Sequence, residues 1–280
     1  MSVRRAAGAL AAMALALTAC APPAPVPVAV AVAPVAPAVQ ALTGGYRLAD
    51  ATLAWYRQAA LAGAPVLAID GRRSIIVVTV RRGGPLARLG HDHVVASEQV
   101  SGMLAPTLGR ADFGLRLDQM QVDDAALRAE AQLDTQPSAE AIAGTRLNML
   151  NRVLEAERYP EVALQVTAPP TALSPWLKTW LKPSLQPSLQ PSLQAPLQPS
   201  LQDPAQHSVQ LSVTLHGVTR TLAAPMLLEQ TATGLTASGT LTLRQSDFGI
   251  TPMSVMNGAM TVLDTLELRY RIVGVPATPF

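Results

Sequence analysis

The stretch VQLSVTLHGVTRTL, residues 209–222, shows most directly how this chain folds. Apolar residues stand at every second position from Val209 to Leu215, which places them on one face of an extended strand. His216-Gly217 then supplies a turn between two strands. The stretch therefore predicts neighbouring strands that direct one apolar face towards a common interior.

The same alternation recurs along the chain. It is found at Phe113–Leu117, at Leu241–Leu243 and at Leu266–Ile272, and SIIVVTV (74–80) is a β-branched run between Arg72-Arg73 and Gly83-Gly84. A strand–helix–strand rhythm, which would indicate a parallel sheet, does not occur. We therefore predict a mainly β protein with an antiparallel sheet and an apolar interior, and Thr233-Gly234 is expected to form another of its turns.

Two segments have helical spacing instead. Asp50–Leu61 carries a loose apolar stripe, and Asp50 is expected to cap it. Ser138 opens a longer helix with Glu140 in its first turn, Gly144 is expected to divide that helix, and Pro160 is expected to end it before a strand at 161–166.

The N-terminus has the pattern of a secretory signal. Arg4 and Arg5 precede an apolar run, Ala6–Leu17, that is too short to cross a bilayer, which takes about 20 residues. The ending Leu-Thr-Ala-Cys20 resembles the bacterial lipobox, which implies cleavage after residue 19 and lipid attached to Cys20. The alternative is an ordinary signal peptide with a chance cysteine. Because Cys20 is the only cysteine, the chain has no disulfide and must rely on packing.

A lipidated Cys20 would anchor the protein to a membrane facing the periplasm of a Gram-negative bacterium. Pro22, where aspartate would retain a lipoprotein at the inner membrane, favours the outer membrane. The segment that follows, within a tether at 20–45, is almost only Ala, Pro and Val, which favours polyproline II. At ~3.1 Å per residue it would reach on the order of 70 Å from the bilayer.

The charge of the chain excludes one class of function. There are 21 Lys and Arg residues against 19 Asp and Glu residues, and two of the basic residues, Arg4 and Arg5, would leave with the signal peptide. The mature chain is then neutral. A neutral protein lacks the basic surface that binds nucleic acid, so we exclude nucleic acid as a partner.

A tetrapeptide repeat of the PSLQ type fills residues 183–202. Proline at every fourth position excludes both helix and strand, so we interpret 169–206 as an expanded surface loop. The alternative is a scaffold lipoprotein whose proline-rich loop binds a partner. In that case, deletion of 183–202 would abolish function and leave the domain folded. Trp176 and Trp180, just upstream, would either fold back on the domain or be exposed.

Four blocks in the same order resemble the YceI-like family of lipocalin-like barrels that bind polyisoprenoid lipids. They are VLAIDGRRSIIVVTV, with Ile69-Asp70 and Ser74; GTRLNMLNRVLEAERYPEVALQV; LHGVTRTLAAPM; and LRQSDFGI. ARLGHDHVV (87–95) and TPMSVMNGAM (251–260) look like a proteobacterial sub-branch. The resemblance implies a closed antiparallel β-barrel of about eight strands at 65–274 with one inserted α-helical region. A short helical extension at 46–64 and a tail at 275–280 would flank it.

The family resemblance implies a barrel whose cavity holds an apolar isoprenoid-type lipid, such as a quinone tail, with the protein acting as carrier or sensor rather than enzyme. From the residues alone, a fully packed barrel remains equally open. No other cofactor is implied, and the oligomeric state stays open. The candidate lining residues are Phe113, Leu115, Leu117, Leu150, Leu211, Val213, Leu241, Leu243, Leu266 and Leu268.

A metal-binding or enzymatic barrel is the competing hypothesis. His91 and His93 are two residues apart, which on a strand puts both imidazoles on one face, and His216 could add a third ligand. The sequence contains neither the HExxH motif nor the Gly-x-Ser-x-Gly motif. We assign no catalytic residue. Arg244, Asp247 and Asp264 are interpreted as structural, with Asp247 organising the turn before the last strand.

Overall fold

The chain folds into an antiparallel β-barrel that closes between its first and last strands. The computed structural model describes residues 45–168, 206–231 and 234–277. Its α-helices are α1 (Asp50–Leu61), α2 (Ala125–Glu130) and α3 (Ala139–Asn148). Its strands are β1 (Leu67–Ile69), β2 (Ile75–Gly83), β3 (His93–Ser97), β4 (Ser101–Ala105), β5 (Arg110–Arg116), β6 (Gln121–Val122), β7 (Glu161–Thr167), β8 (Gln206–Leu215), β9 (Val218–Thr231), β10 (Gly234–Arg244), β11 (Ser254–Val255) and β12 (Met260–Pro276).

Eight strands form the closed ring. In order around the barrel they are β1, β4, β5, β7, β8, β9, β10 and β12, and β12 pairs back to β1. The strand β12 is long enough to pair with β10 on one side and with both β2 and β1 on the other. β2 therefore continues the line of β1, and β3 and β6 extend the sheet from β2. The prediction of a mainly β, closed antiparallel barrel of about eight strands is confirmed.

A bend joins β1 to β2 at the Asp70–Ser74 segment. The Ser74 hydroxyl donates a hydrogen bond to the Asp70 carbonyl oxygen (2.8 Å) and accepts one from the Val273 amide (2.9 Å). The Ser74 side chain is buried, so both bonds are shielded from water. Asp70 and Ser74, which belong to the pattern noted in the sequence, therefore stabilise the bend after β1 and join it to β12.

The two predicted helices form, with local differences. α1 has the predicted bounds, but its N-cap is Ala49 and Asp50 is the first helical residue, so the prediction that Asp50 caps it is wrong. Ser138 caps α3 through its side-chain oxygen, which accepts from the Ala141 amide (3.2 Å). Gly144 does not divide α3, which runs through to a π-helical turn at Met149–Val153.

No sequence pattern predicts α2, which covers the outer face of β2 and β3. Asp124 caps it by accepting from the amides of Ala126 and Leu127. Leu127 and Leu133 pack against the outward-facing cluster Val77, Val94 and Ala96. The continuous apolar run in SIIVVTV follows from this cover, because both faces of β2 are shielded from water.

Helix α1 packs on the outside of the barrel at β4 and β5. Tyr56 is fully buried against Met103 and Ala105. Its hydroxyl donates to Asp112 Oδ2 (2.8 Å), which also accepts from Arg110 Nε (2.6 Å). Burial raises the pKa of Asp112, but hydrogen bonds from Arg110, Gln165 and Tyr56 outweigh it, so that pKa lies below its usual value.

We expect Tyr56→Phe to lower the free energy of unfolding at pH 7 by about 1.5–3 kcal/mol, because it removes a hydrogen bond to an ionised carboxylate. A carboxyl group with a depressed folded-state pKa stabilises the protein above its unfolded pKa, and that stabilisation is lost as the pH falls through its folded pKa. The difference in unfolding free energy between the variant and wild type should therefore become smaller as the pH falls from roughly 5 to 2. Urea unfolding of both proteins across this pH range measures that difference. A difference that does not change with pH would contradict the claim that the lost hydrogen bond is one to the ionised carboxylate of Asp112.

Several predictions concern residues outside the described ranges. They are the signal peptide, Cys20 and most of the 20–45 tether; Trp176 and Trp180; the PSLQ repeat; and Thr233. Within the ranges that the structure does describe, no helix has both the length and the apolarity needed to cross a bilayer.

Candidate functional site

The interior of the barrel contains an apolar cavity of about 430 Å³, here called the main cavity. Alternation along the strands directs its wall inwards, for example Ile76, Val78 and Val80 on β2 and Leu211 and Val213 on β8. A smaller space of about 110 Å³, the inner cavity, adjoins it. Five residues line both, so the two spaces share a boundary: Ile76, Leu164, Leu211, Leu241 and Leu268.

The cavity exists because the inward side chains are mainly Leu, Val and Met rather than aromatic rings. Leu241 and Leu268 face the interior and yet remain partly accessible to solvent. In a packed barrel such positions would be buried, so their accessibility reflects a hollow centre that opens to the outside. An apolar space of this kind accepts an apolar guest, as engineered cavities lined by Leu, Ile and Phe do.

Nine of the ten candidate lining residues border these cavities. Phe113 lines the inner cavity. The other eight line the main cavity: Leu115, Leu117, Leu211, Val213, Leu241, Leu243, Leu266 and Leu268. Leu150 lines neither, because the π-helical turn directs it into the core beside Phe113 and Leu117 while Met149 and Val153 face the cavity. Contact between any of these residues and a lipid stays a prediction.

Sequence reasoning missed part of the wall. Val78 and Val80 lie in a run that is apolar on both faces, so no alternation marks them. Val162 and Leu164 on β7 do alternate with small or polar neighbours in EVALQV and could have been found by the same rule as Leu211. Met149 and Val153 depend on the π-helical turn, which the pattern does not predict.

The main cavity opens at one end, here called the mouth (Leu89, His91, His93 and Val255). All four residues line the cavity, and Leu89 and Val255 are also exposed on the surface, with 60% and 36% of their area accessible. The inner cavity lies at the opposite end, towards Pro106 and Ala168. Arg82, a polar residue of the main wall, donates a hydrogen bond to the Gly90 carbonyl oxygen (2.7 Å) next to the mouth.

A buried carboxylate holds one of these histidines in place. His93 Nδ1 lies 2.6 Å from Asp123 Oδ2, while Asp123 Oδ1 accepts from the Val94 amide (3.1 Å) and from the Arg128 guanidinium. The side chains of Asp123 and Arg128 are almost inaccessible to solvent. Burial raises the pKa of Asp123, but the hydrogen bonds that it accepts from His93, the Val94 amide and Arg128 hold that pKa below its usual value.

The structure does not assemble the metal site considered from the sequence. His91 and His93 lie side by side with ring centres 6.2 Å apart, but only His93 belongs to a strand. His216 pairs with Glu155 (3.6 Å) and packs against the Tyr159 ring, with centres 4.5 Å apart. Among the described residues, no three His, Cys, Asp or Glu side chains are placed to hold a metal ion. His216 is therefore not a third ligand beside His91 and His93.

The charged group near the end of β10 is structural, although the organising residue differs from the prediction. Asp264, not Asp247, ties the turn together: its carboxylate accepts from the Ser246 amide (2.8 Å), the Ser246 hydroxyl (2.6 Å) and Arg244 Nε (3.0 Å). Hydrogen bonds from Ser246 hold the pKa of Asp264 below its usual value. Asp247 is exposed on the same turn.

Comparison with solved structures finds similar proteins. The polyisoprenoid-binding domain from Saccharophagus degradans implicated in plant cell wall breakdown is 11% identical, with a TM-score of 0.48 over 75% of this chain and 98% of its own. BcnA from Burkholderia cenocepacia is 14% identical, with a TM-score of 0.47 over 75% and 99%. The Campylobacter jejuni YceI protein is 12% identical, with a TM-score of 0.32 over 60% and 72%.

By sequence, the chain shows no significant match to a curated protein. The model of the YceI-like domain, in contrast, matches residues 86–273, which is well over half of the chain and includes β3 to β10 and most of β12. On that match, together with the closed eight-stranded barrel, the protein belongs to the YceI-like domain family.

Proposed function

We propose that this protein binds the apolar chain of an isoprenoid-type lipid, such as a quinone tail, inside its barrel and acts as a carrier or sensor rather than an enzyme. The observation that carries the proposal is the apolar main cavity of about 430 Å³ in a closed barrel. Its volume falls within the roughly 300–1,000 Å³ of pockets that bind small molecules. Membership of the YceI-like domain family, whose resemblance implies polyisoprenoid binding, supports the choice of lipid.

The shape of the interior favours a chain over a compact ligand. Inward side chains of β5 and its continuation run from Ala111 to Leu117, which at ~3.3 Å per residue is roughly 20 Å along the strand. Each CH₂ that leaves water for such a wall contributes about 0.8 kcal/mol. A linear hydrocarbon can occupy the main cavity and continue into the inner cavity past their shared residues.

Binding of geraniol, farnesol and geranylgeraniol to detergent-free protein tests the proposal. We expect affinity to rise by up to about a thousandfold for each five-carbon isoprene unit that becomes buried while the cavity fills, and then to level off. Native mass spectrometry would count the bound molecules, with one expected for each barrel. Protein that is isolated empty and binds none of the three alcohols would contradict the proposal.

We also propose that the protein is a lipoprotein, anchored through Cys20 to the periplasmic face of the outer membrane. The lipobox-like ending at Cys20 and the Ala/Pro/Val tether support this. Two or three acyl chains anchor a protein far more firmly than one. The tether would let the barrel collect or deliver a lipid at some distance from the bilayer.

We expect Cys20→Ser to abolish labelling by a palmitate analogue and to prevent the lipid-dependent cleavage after residue 19. The matched variant Pro22→Ala, two residues further on, should keep both the label and the cleavage. In a Gram-negative host, metabolic labelling and the length of the product measure both. Persistent labelling of Cys20→Ser would show that Cys20 is not the lipidated residue.

A further inference from the structure

The mouth contains a histidine nitrogen that the fold leaves unused. His93 borders the main cavity, and only 16% of its side chain is accessible to solvent. Its Nδ1 is engaged by Asp123, but no described residue hydrogen-bonds to its Nε2. His91, whose ring centre is 6.2 Å from that of His93, lies at the same opening. A polar ring atom without a partner at the end of an apolar cavity suggests a polar group on the guest.

Asp123 determines which nitrogen of His93 carries the proton. Its carboxylate already accepts from the Val94 amide and from Arg128, as expected for the ionised form. An ionised carboxylate can only accept, so the hydrogen in the 2.6 Å contact lies on His93 Nδ1. In the neutral imidazole, Nε2 then has a free lone pair and acts as a hydrogen-bond acceptor.

The arginines around the mouth do not provide surplus positive charge to the cavity. Arg82, the one arginine on the main cavity wall among the described residues, donates to Asp134 (2.8 Å) and lies 3.7 Å from Asp92. Arg128 is paired with Asp123. The exposed Arg88 does not line the cavity. A diphosphate would need several free cations here, whereas a neutral hydroxyl group would not.

We propose that His93 Nε2 accepts a hydrogen bond from a hydroxyl head group, an alcohol or a phenol, on the lipid whose chain occupies the main cavity. Asp123 and Arg128 act as positioning residues for His93. The proposal rests on the proposed lipid-binding function and adds the chemistry of the head group and its orientation: hydroxyl at the mouth, chain end towards the inner cavity.

A comparison of farnesol with farnesyl methyl ether tests it, because the ether keeps the chain and the oxygen but has no hydrogen to donate. Wild type should bind farnesol about tenfold more tightly. His93→Phe keeps a ring at this position and should bind the two ligands equally, with its affinity for the ether within twofold of wild type. Farnesyl monophosphate should bind wild type no more tightly than farnesol.

A measurement on the unaltered protein covers the case in which His93→Phe does not fold. The ¹⁵N resonance of His93 Nε2 should shift on saturation with farnesol and stay in place with the ether. If wild type binds both ligands with equal affinity, the head-group assignment is overturned while the lipid cavity stands. If it binds neither, the proposed function fails as well. Tighter binding of the monophosphate would overturn the neutral head group.

Discussion

We expect Leu241→Trp to lower the affinity for farnesol by roughly a thousandfold while the barrel stays folded. Leu241 lines both the main and the inner cavity, so an indole there would fill the passage between them. A chain that loses burial of about five CH₂ groups loses about 4 kcal/mol, which is close to a factor of a thousand. Because the cavity leaves room beside Leu241, the larger side chain fits without the usual cost of overpacking.

The matched control is Thr242→Trp. Thr242 is the next residue of β10, is exposed and points away from the interior. The Thr242→Trp variant should bind farnesol with wild-type affinity. Both variants should give the circular dichroism spectrum of wild type. Equilibrium dialysis with labelled farnesol provides the affinities. Undiminished binding by Leu241→Trp would mean that the lipid lies somewhere other than this cavity.

The second large effect is expected from Arg128→Met, which should lower the free energy of unfolding by about 3–5 kcal/mol. Arg128 is 2% exposed, pairs with Asp123 and donates to the Asp92 carbonyl oxygen (2.8 Å) and to the Thr135 carbonyl oxygen. Methionine replaces the length of the side chain but leaves the buried carboxylate without its compensating charge. Chemical denaturation measures the loss.

Two further variants distinguish the loss of the Arg128–Asp123 ion pair from the general effect of losing an arginine. Arg152→Met, at an exposed position, should change stability by less than about 0.5 kcal/mol. Adding Asp123→Asn to Arg128→Met should recover part of the loss, because the two residues are coupled and no charge is then left unpaired. A double variant as unstable as the sum of the single variants would show that the pair is not coupled.

The strands and their inward faces could be predicted because period-two alternation, as at Val209–Leu215, fixes the face once one side is known to be apolar. The hollow centre of the barrel could not be predicted from the sequence. Leu211 and Val213 have the same alternation whether the opposite wall touches them or leaves a gap. The residues around Val77 and Val78 are apolar on both faces of β2, because α2 covers the outer face. The sequence therefore does not show which of them point inwards.

The polar part of the candidate site was predicted only in part. The spacing of His91 and His93 marked a pair of neighbouring imidazoles, and the structure places both at the mouth. The partner of His93 is Asp123, 30 residues further along the chain, and a contact of that range has no local pattern. The role of His216 was misjudged because the turn places its ring against Tyr159, a contact that spacing alone does not reveal.

The position of β12 has a consequence for the order of events in the cell. Ser74 and Val273, which are 199 residues apart, are joined by a hydrogen bond, and Leu67–Ile69 pair with Gly274–Pro276 of β12 as well as with β4. Pairings across such long separations form slowly, since the intervening chain must first be brought together. The barrel therefore cannot close before β12 has been synthesised. Under the export proposed above, that delay would keep the chain unfolded, and so competent for translocation, until it has crossed the membrane.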